Sequence, residues 1–242
     1  MSNQVLVITD NQFLLNRFKE ILKRKKLLDF PFSFACTNES FKNENPGVSV
    51  IDVKRDVEKI IDSYVLVISL HCKQLFPENL IKQVRCINVH PGLNPYNRGW
   101  YPQVFSIMNK LPIGATIHEI DSEIDHGKII AQKETEIFAW DTSLSVYNRV
   151  IGLELELLEK HIESILNNSY NAESASSEGN LNLKKDFNSL RHLNLDEFTR
   201  AGDLIDRMRA LTHEPYSNLY FLDKETGKRV YIKITLETKE DK

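Results

Sequence analysis

Two short stretches of this chain carry side chains suited to moving an acyl group onto an amine. Asn88-Val89-His90-Pro91-Gly92 supplies a carboxamide and an imidazole, and Asp121-Ser122-Glu123-Ile124-Asp125-His126-Gly127 supplies a carboxylate just ahead of a glycine. A carboxamide N–H can donate to the oxyanion of a tetrahedral intermediate, an imidazole can take or shuttle the amine proton, and a carboxylate can orient and charge-balance that imidazole. Asn88, His90 and Asp125 are therefore the candidate catalytic residues. Alone, each has a plainer reading: Asn88 and His90 as a turn before Pro91, and Asp125 as an Asp bonding its own backbone before Gly. Their occurrence together, with Arg98-Gly99 between them, favours chemistry.

These residues act together only if the fold gathers them, and the apolar pattern says how. Val5-Leu6-Val7-Ile8, ended by Thr9-Asp10-Asn11, predicts a strand buried on both faces that leads into a capped helix over 12–26. Strand-like segments at 32–35, 48–51, 64–70 and 85–89 alternate with helical spacing, as at Val57, Ile60 and Ile61. That alternation predicts an α/β fold with a mostly parallel sheet and crossover helices. In such sheets ligands bind beyond the carboxyl ends of the strands, where the strand over 85–89 delivers Asn88 and His90. A helix over 102–110 and strands over 114–119 and 128–136 flank the Asp125 turn and can return it to His90.

Ser143 opens a long amphipathic helix marked by Leu144, Tyr147, Ile151, Leu155, Leu158, Ile162 and Ile165, ending near Leu166. Residues 171–180, rich in Ser, Glu, Ala and Asn, read as an exposed linker. It divides a catalytic domain over 1–180 from a small unit over 181–242. That unit holds a helix over 203–211 and strands over 219–222 and 229–236 joined at Glu225-Thr226-Gly227. A lone hairpin is marginal in water, so this one is expected to pack on the main domain or on a second copy, and a homodimer is expected.

At 242 residues and 41% hydrophobic content the chain can bury one good core and a smaller appended unit. The formal charge is −3, and residues 181–242 hold 12 Lys+Arg against 11 Asp+Glu, so no concentrated basic face is available for nucleic acid. Cys36, Cys72 and Cys86 show no paired spacing, which points away from a disulfide framework and towards a reducing, cytoplasmic setting. His118, Asp125 and His126 lack a paired-ligand spacing, and no metal is expected. No run approaches the ~18–20 apolar residues of a membrane span, and the first residues do not form a secretory signal.

Asn88-x-His90-Pro91, then Leu93-x-Pro95-x-x-Arg98-Gly99, Gly114-Ala115-Thr116-Ile117-His118 and Asp125-x-Gly127 resemble, in this order, the folate-dependent formyltransferases over roughly the first two thirds of the chain. The resemblance implies a Rossmann-like formyltransferase fold and 10-formyltetrahydrofolate as the formyl donor. It also implies that Asn88 and a protonated His90 stabilise the oxyanion while Asp125 accepts the amine proton, although which of His90 and Asp125 is the base stays open in the sequence. By the same resemblance Lys73, Gln74, Leu75 and Phe76 contact the pterin, and Ile120, Asp121, Ile124 and Asp125 form the opposite wall of its pocket.

Trp100 and Tyr101 follow Arg98-Gly99 where the transfer-RNA enzymes have small residues; they either stack on a planar acceptor group or begin a helix as core residues. Residues 96–105, and Arg209-Ala210-Leu211-Thr212 with Pro215-Tyr216, are most similar to the nucleotide-sugar branch. That implies a nucleotide-linked amino sugar such as dTDP-4-amino-4,6-dideoxyglucose as acceptor, and a place in O-antigen or surface-polysaccharide synthesis. Arg98 or Arg209 would then meet the pyrophosphate, and Tyr216 or Tyr220 would stack on the base. Methionyl-tRNA formylation and a non-catalytic folate- or nucleotide-binding module are the alternatives.

Overall fold

The structure, a computed structural model, describes residues 4–239. Strand β1 (Val5–Ile8) is apolar throughout because both its faces are covered. Val5 and Val7 pack towards α1 (Gln12–Arg24), and Leu6 and Ile8 join a second cluster on the opposite face. Asn11 caps α1 by accepting from the Leu14 N–H at 3.1 Å, and Leu14, Phe18, Ile21 and Leu22 form its buried stripe. The helix stops before residue 26 because Lys26 takes a left-handed backbone, φ 57°.

The chain continues through β2 (Phe32–Cys36), α2 (Glu39–Glu44), β3 (Ser49–Val50), α3 (Val57–Ser63), β4 (Leu66–Leu70), α4 (Glu78–Gln83) and β5 (Arg85–His90). After β6 (Arg98–Gly99) and α5 (Pro102–Asn109), strands β7 (Ile113–Glu119) and β8 (Ile129–Thr135) complete a seven-stranded sheet of order β3-β2-β1-β4-β5-β7-β8. The first five strands run parallel, and β7 pairs antiparallel with both β5 and β8. This is the mostly parallel sheet that the apolar runs predict. Strand order reverses between β1 and β4, which opens a crevice at their carboxyl ends.

Helix α6 (Ser143–Leu166) is capped one residue earlier than expected: the Thr142 hydroxyl accepts from the Ser145 N–H, and the Ser145 hydroxyl accepts from the Thr142 N–H. Its buried face runs through Val146, Val150, Ile151, Glu154, Leu157, Leu158, Ile162 and Ile165. A glutamate thus stands where the stripe calls for an aliphatic side chain.

Residues 171–180 are not a free linker. Glu173 pairs with Ile129, the Asn180 N–H donates to the Pro95 carbonyl at 3.2 Å, and β9 (Leu181–Asn182) pairs parallel with β6. The low hydrophobicity of the segment misleads because its order comes from amides: Asn180 Nδ2 and Asn182 Nδ2 donate to Asn97 Oδ1 at 2.8 and 3.0 Å, and Asn97 is fully buried. Then come α7 (Lys184–Leu190), absent from the sequence-based expectation, α8 (Ala201–Leu211), β10 (Thr212–His213), β11 (Tyr216–Ser217), β12 (Leu219–Leu222) and β13 (Arg229–Ile232). The last strand stops short of the expected residue 236. Phe187, Leu193, Ala210, Leu211 and Leu219 share one hydrophobic cluster with β1 and α6, so the core runs unbroken across residue 180. Among the described residues no helix is long and apolar enough to cross a membrane.

Candidate active site

Strand alternation sets the site up. Ile87 and Val89 of β5 point into the cluster under α1 and α6, which leaves Asn88 and His90 on the other face with Cys86. In β7, Ile113, Ala115 and Ile117 likewise face the core, and Thr116 and His118 alternate with them. Antiparallel pairing sets His118 opposite Asn88 and Thr116 opposite His90. Thr116 then fixes the intervening turn, its hydroxyl donating to the Gly92 carbonyl at 2.7 Å and accepting from the Asn94 N–H at 3.1 Å.

The loop after β7 folds back and ends in Asp125, which takes a left-handed backbone, φ 47°, a region that Asp tolerates better than most residues. Asn94 Nδ2 donates to the Asp125 carbonyl at 2.8 Å. The carboxylate itself collects four neighbours. Asn88 Nδ2 donates to Oδ1 at 3.0 Å, the Gly99 N–H donates to Oδ2 at 3.0 Å, His90 Nδ1 lies 3.4 Å from Oδ2, and His118 Nε2 lies 3.5 Å from Oδ1. The three expected catalytic residues therefore meet. His118, weighed from sequence only as a metal ligand, is a fourth member of the cluster; its even spacing from Thr116 on a strand with an apolar alternate face was the available signal.

Burial pushes the His90 imidazole down to about 4, against the partly compensating charge of Asp125. For Asp125, burial acts to raise the carboxyl, but the charges of His90 and His118, a hydrogen bond with His118 and the Gly99 N–H outweigh it and hold the group well below the usual carboxylate range. Burial thus favours a neutral His90 beside an ionised Asp125. His90 Nε2 is buried without a protein partner, and a Cβ at position 92 would lie 2.4 Å from it, so only Gly92 leaves room for the ring.

Above this cluster lies a cavity of about 520 Å³. Its lining includes Lys54, the turn from Lys73 to Phe76, and the loop residues Ile120, Asp121 and Ile124. Gln74 Oε1 accepts from the Val53 N–H at 2.8 Å, which ties that turn to the segment before α3. Phe76 and Ile120 pack on the cluster beneath α3 and α4 and also line the cavity. His71, Trp100, Tyr101, Gln103 and Tyr147 also line it. The two readings of the aromatic pair divide between its members: Trp100 lines the cavity with Lys184 Nζ 5.4 Å from its ring centroid, whereas Tyr101 both lines the cavity and packs on Phe187, ring centroids 4.2 Å apart.

Four expected acceptor contacts do not line the cavity. Arg98 is buried and donates to Glu178 at 2.7 Å and to the Ile124 carbonyl at 3.5 Å, so it fastens the 171–182 segment to the Asp125 loop. Arg209 is buried too, donating to Asp206 at 2.6 Å and to the Phe138 and Asp141 carbonyls at 3.1 Å each. Tyr220 lies in the terminal hairpin between His192, Tyr231 and the Arg229 guanidinium. Tyr216 is exposed, its ring 6.0 Å from His213. A guanidinium fork serves carbonyls and carboxylates as well as phosphates, so residue type alone did not separate these roles. Glu123, His126 and Glu178 also approach one another at the surface, where Arg98 holds Glu178 and Asp121 accepts from His126 at 2.8 Å.

Residues 5–162 match the Formyl transferase family and residues 186–238 match the N-formyltransferase dimerization C-terminal domain. The chain is 53% identical over 192 residues, 79% of its own length and 82% of the relative's, to a dTDP-4-amino-4,6-dideoxyglucose formyltransferase of Mycobacterium tuberculosis. Among solved structures it is similar to a 4-N formyltransferase from Francisella tularensis, with TM-score 0.91 and 44% identity over 97% of this chain and 98% of that one. A sugar N-formyltransferase from a Shewanella species superposes with TM-score 0.93 and 42% identity, covering 98% and 99% of the two chains. With a family match over well over half its length and a relative this similar, the chain belongs to the formyl transferase family.

Proposed function

We propose that this protein transfers the formyl group of 10-formyltetrahydrofolate to the amine of a dTDP-linked 4-amino-4,6-dideoxy sugar, with dTDP-4-amino-4,6-dideoxyglucose as the preferred acceptor. One observation carries the reading: a carboxamide, an imidazole and a carboxylate converge at a cavity that Phe76, Ile120, Trp100 and Tyr101 also line. The activity named for the Mycobacterium relative supports the choice of acceptor. Nearly balanced charge over residues 181–242 argues against transfer RNA as the acceptor.

The neutral amine attacks the formyl carbon and the carbonyl pair moves to oxygen. Asn88 Nδ2 donates to Asp125 at 3.0 Å and lies 3.3 Å from His118 Nε2, and the N–H facing His118 turns to the oxyanion as it develops. Resting neutral, His90 takes the proton released by the amine, and Asp125 balances the imidazolium so formed. Collapse breaks the bond from the formyl carbon to the folate nitrogen, and the proton passes to that nitrogen as tetrahydrofolate leaves.

Loss of one oxyanion donor typically costs ~100- to 1,000-fold in turnover and loss of a general base ~100- to 10,000-fold, so Asn88→Ala and His90→Ala should fall by those orders with both substrates saturating. Near-wild-type rates in both variants would sink the assignment. Mass spectrometry of dTDP-, UDP- and GDP-linked amino sugars after incubation tests the acceptor: the expected result is a formyl adduct on the dTDP 4-amino sugar, and adducts confined to other acceptors would overturn that choice.

The chain works as a homodimer through residues 186–238, where Leu222 and Tyr231 are exposed on one face of the β12–β13 hairpin and give an apolar patch to cover. Sedimentation should show a dimer that Tyr231→Glu shifts towards monomer; an unchanged sedimentation coefficient contradicts the face chosen. Three free thiols fit a cytoplasmic enzyme, and its formylated sugar is destined for O-antigen or another surface polysaccharide. Cell fractionation, and loss of formylated sugar from the polysaccharide on gene deletion, test those two points.

A further inference from the structure

Glu154 lies in the middle of α6, on its buried face and fully inaccessible. Its two carboxylate oxygens lie 2.8 and 2.9 Å from His71 Nε2. Burying a carboxylate is costly unless a charge or hydrogen bond compensates; here burial pushes the Glu154 carboxyl up, and His71 acts against that rise. His71 is itself unusual. It is the first residue past β4 and sits in the left-handed region, φ 61°, which costs a non-glycine residue free energy.

Two unfavourable features thus hold one imidazole at the crevice where β1 and β4 part, the place where open parallel sheets bind ligands. With Nε2 committed to Glu154, Nδ1 is the ring atom left for a ligand, and the Tyr147 hydroxyl lies 3.5 Å from it. The formyl-transfer chemistry uses neither residue. Of the lining residues that can carry positive charge, His90 and His118 belong to the Asp125 cluster, which leaves His71 with Lys54 and Lys73 to meet an anionic group.

Resting on the reaction proposed above, we propose that His71, anchored by Glu154, binds the diphosphate of the nucleotide-sugar acceptor by donating Nδ1–H to a phosphate oxygen, with the Tyr147 hydroxyl as its neighbour. As an imidazolium it supplies the charge-assisted hydrogen bond a diphosphate calls for, and the Glu154 carboxylate balances that charge from behind. Glu154 is a positioning residue, acting through His71.

The test is calorimetric binding of dTDP, thymidine and tetrahydrofolate to the wild type and to His71→Gln, whose carboxamide still donates to Glu154. A double variant, His71→Gln with Glu154→Gln, removes the buried charge altogether if the single variant folds poorly. Losing one charge-assisted hydrogen bond should weaken dTDP binding by about ten-fold or more while thymidine and tetrahydrofolate change by less than about two-fold. In turnover, KM for the nucleotide sugar should rise with kcat nearly constant. Unaltered dTDP affinity, or an equal loss for thymidine, overturns the inference. A wild type that binds no dTDP overturns the proposed reaction as well, whereas wild-type turnover with unaltered dTDP affinity in the variants overturns this inference alone.

Discussion

At the scale of single residues, His90 is the group whose environment has the most measurable consequence. Its folded imidazole titrates at about 4, while the unfolded chain's titrates near 6.5. Between those values the unfolded state takes up a proton that the folded site refuses, so stability is lost as pH falls through this window and His90 has no effect above it. At 1.4 kcal/mol per pH unit the loss by pH 5 is about 2 kcal/mol. Urea midpoints at pH 7.5 and pH 5 should therefore fall further for the wild type than for His90→Asn, and equal falls would mean that the folded site accepts the proton. Asn88, His90 and Asp125 were legible in the sequence because three residue types with complementary chemistry recur at a specific spacing. His118 was not, since its role depends on pairing across β5 and β7; nor was the burial of Arg98 and Arg209, which nothing in their local sequence signals.

Among the elements, β1, α1, β4 and α6 were legible because their apolar residues must face a core whatever the remaining chain does. Helix α7 escaped because Phe187 alone among its residues is buried. The linker expected over 171–180 is instead held in place because carboxamides, which read as solvated in composition, satisfy one another around Asn97 as the chain runs into β9. Its pairing with β6 is also what places the Gly99 N–H on Asp125. Gly99 has φ 91°, and a Cβ there would lie 2.5 Å from the Asn182 carbonyl oxygen. Gly99→Ala should therefore cost about 1–3 kcal/mol in stability and lower kcat by about ten-fold or more, by loosening the carboxylate. Gly152→Ala is the control: inside α6 nothing lies within 4 Å of its added Cβ, so thermal unfolding should show a gain of about 0.5–1 kcal/mol with full activity. Equal turnover in the two variants would deny β6 and β9 a part in orienting Asp125.

For the whole molecule, one hydrophobic cluster draws on β1, α1, α6, α7 and α8, so both family-matched portions share a core. Scanning calorimetry should show a single endotherm, and two resolved transitions would mean that the portions melt independently. A mostly parallel α/β fold could be foreseen from alternating apolar segments, but strand order could not, because periodicity fixes which face of a strand is buried and says nothing of its neighbours. The stitching of residues 171–182 along β6 and β8 removes the slack that a hinge would need. Leu75 and Trp100 line the cavity and Leu75 is exposed, so reactants that enter past them meet side chains and not a hinged segment. A covalent tether joining the two portions should accordingly leave the rate of product departure as it was.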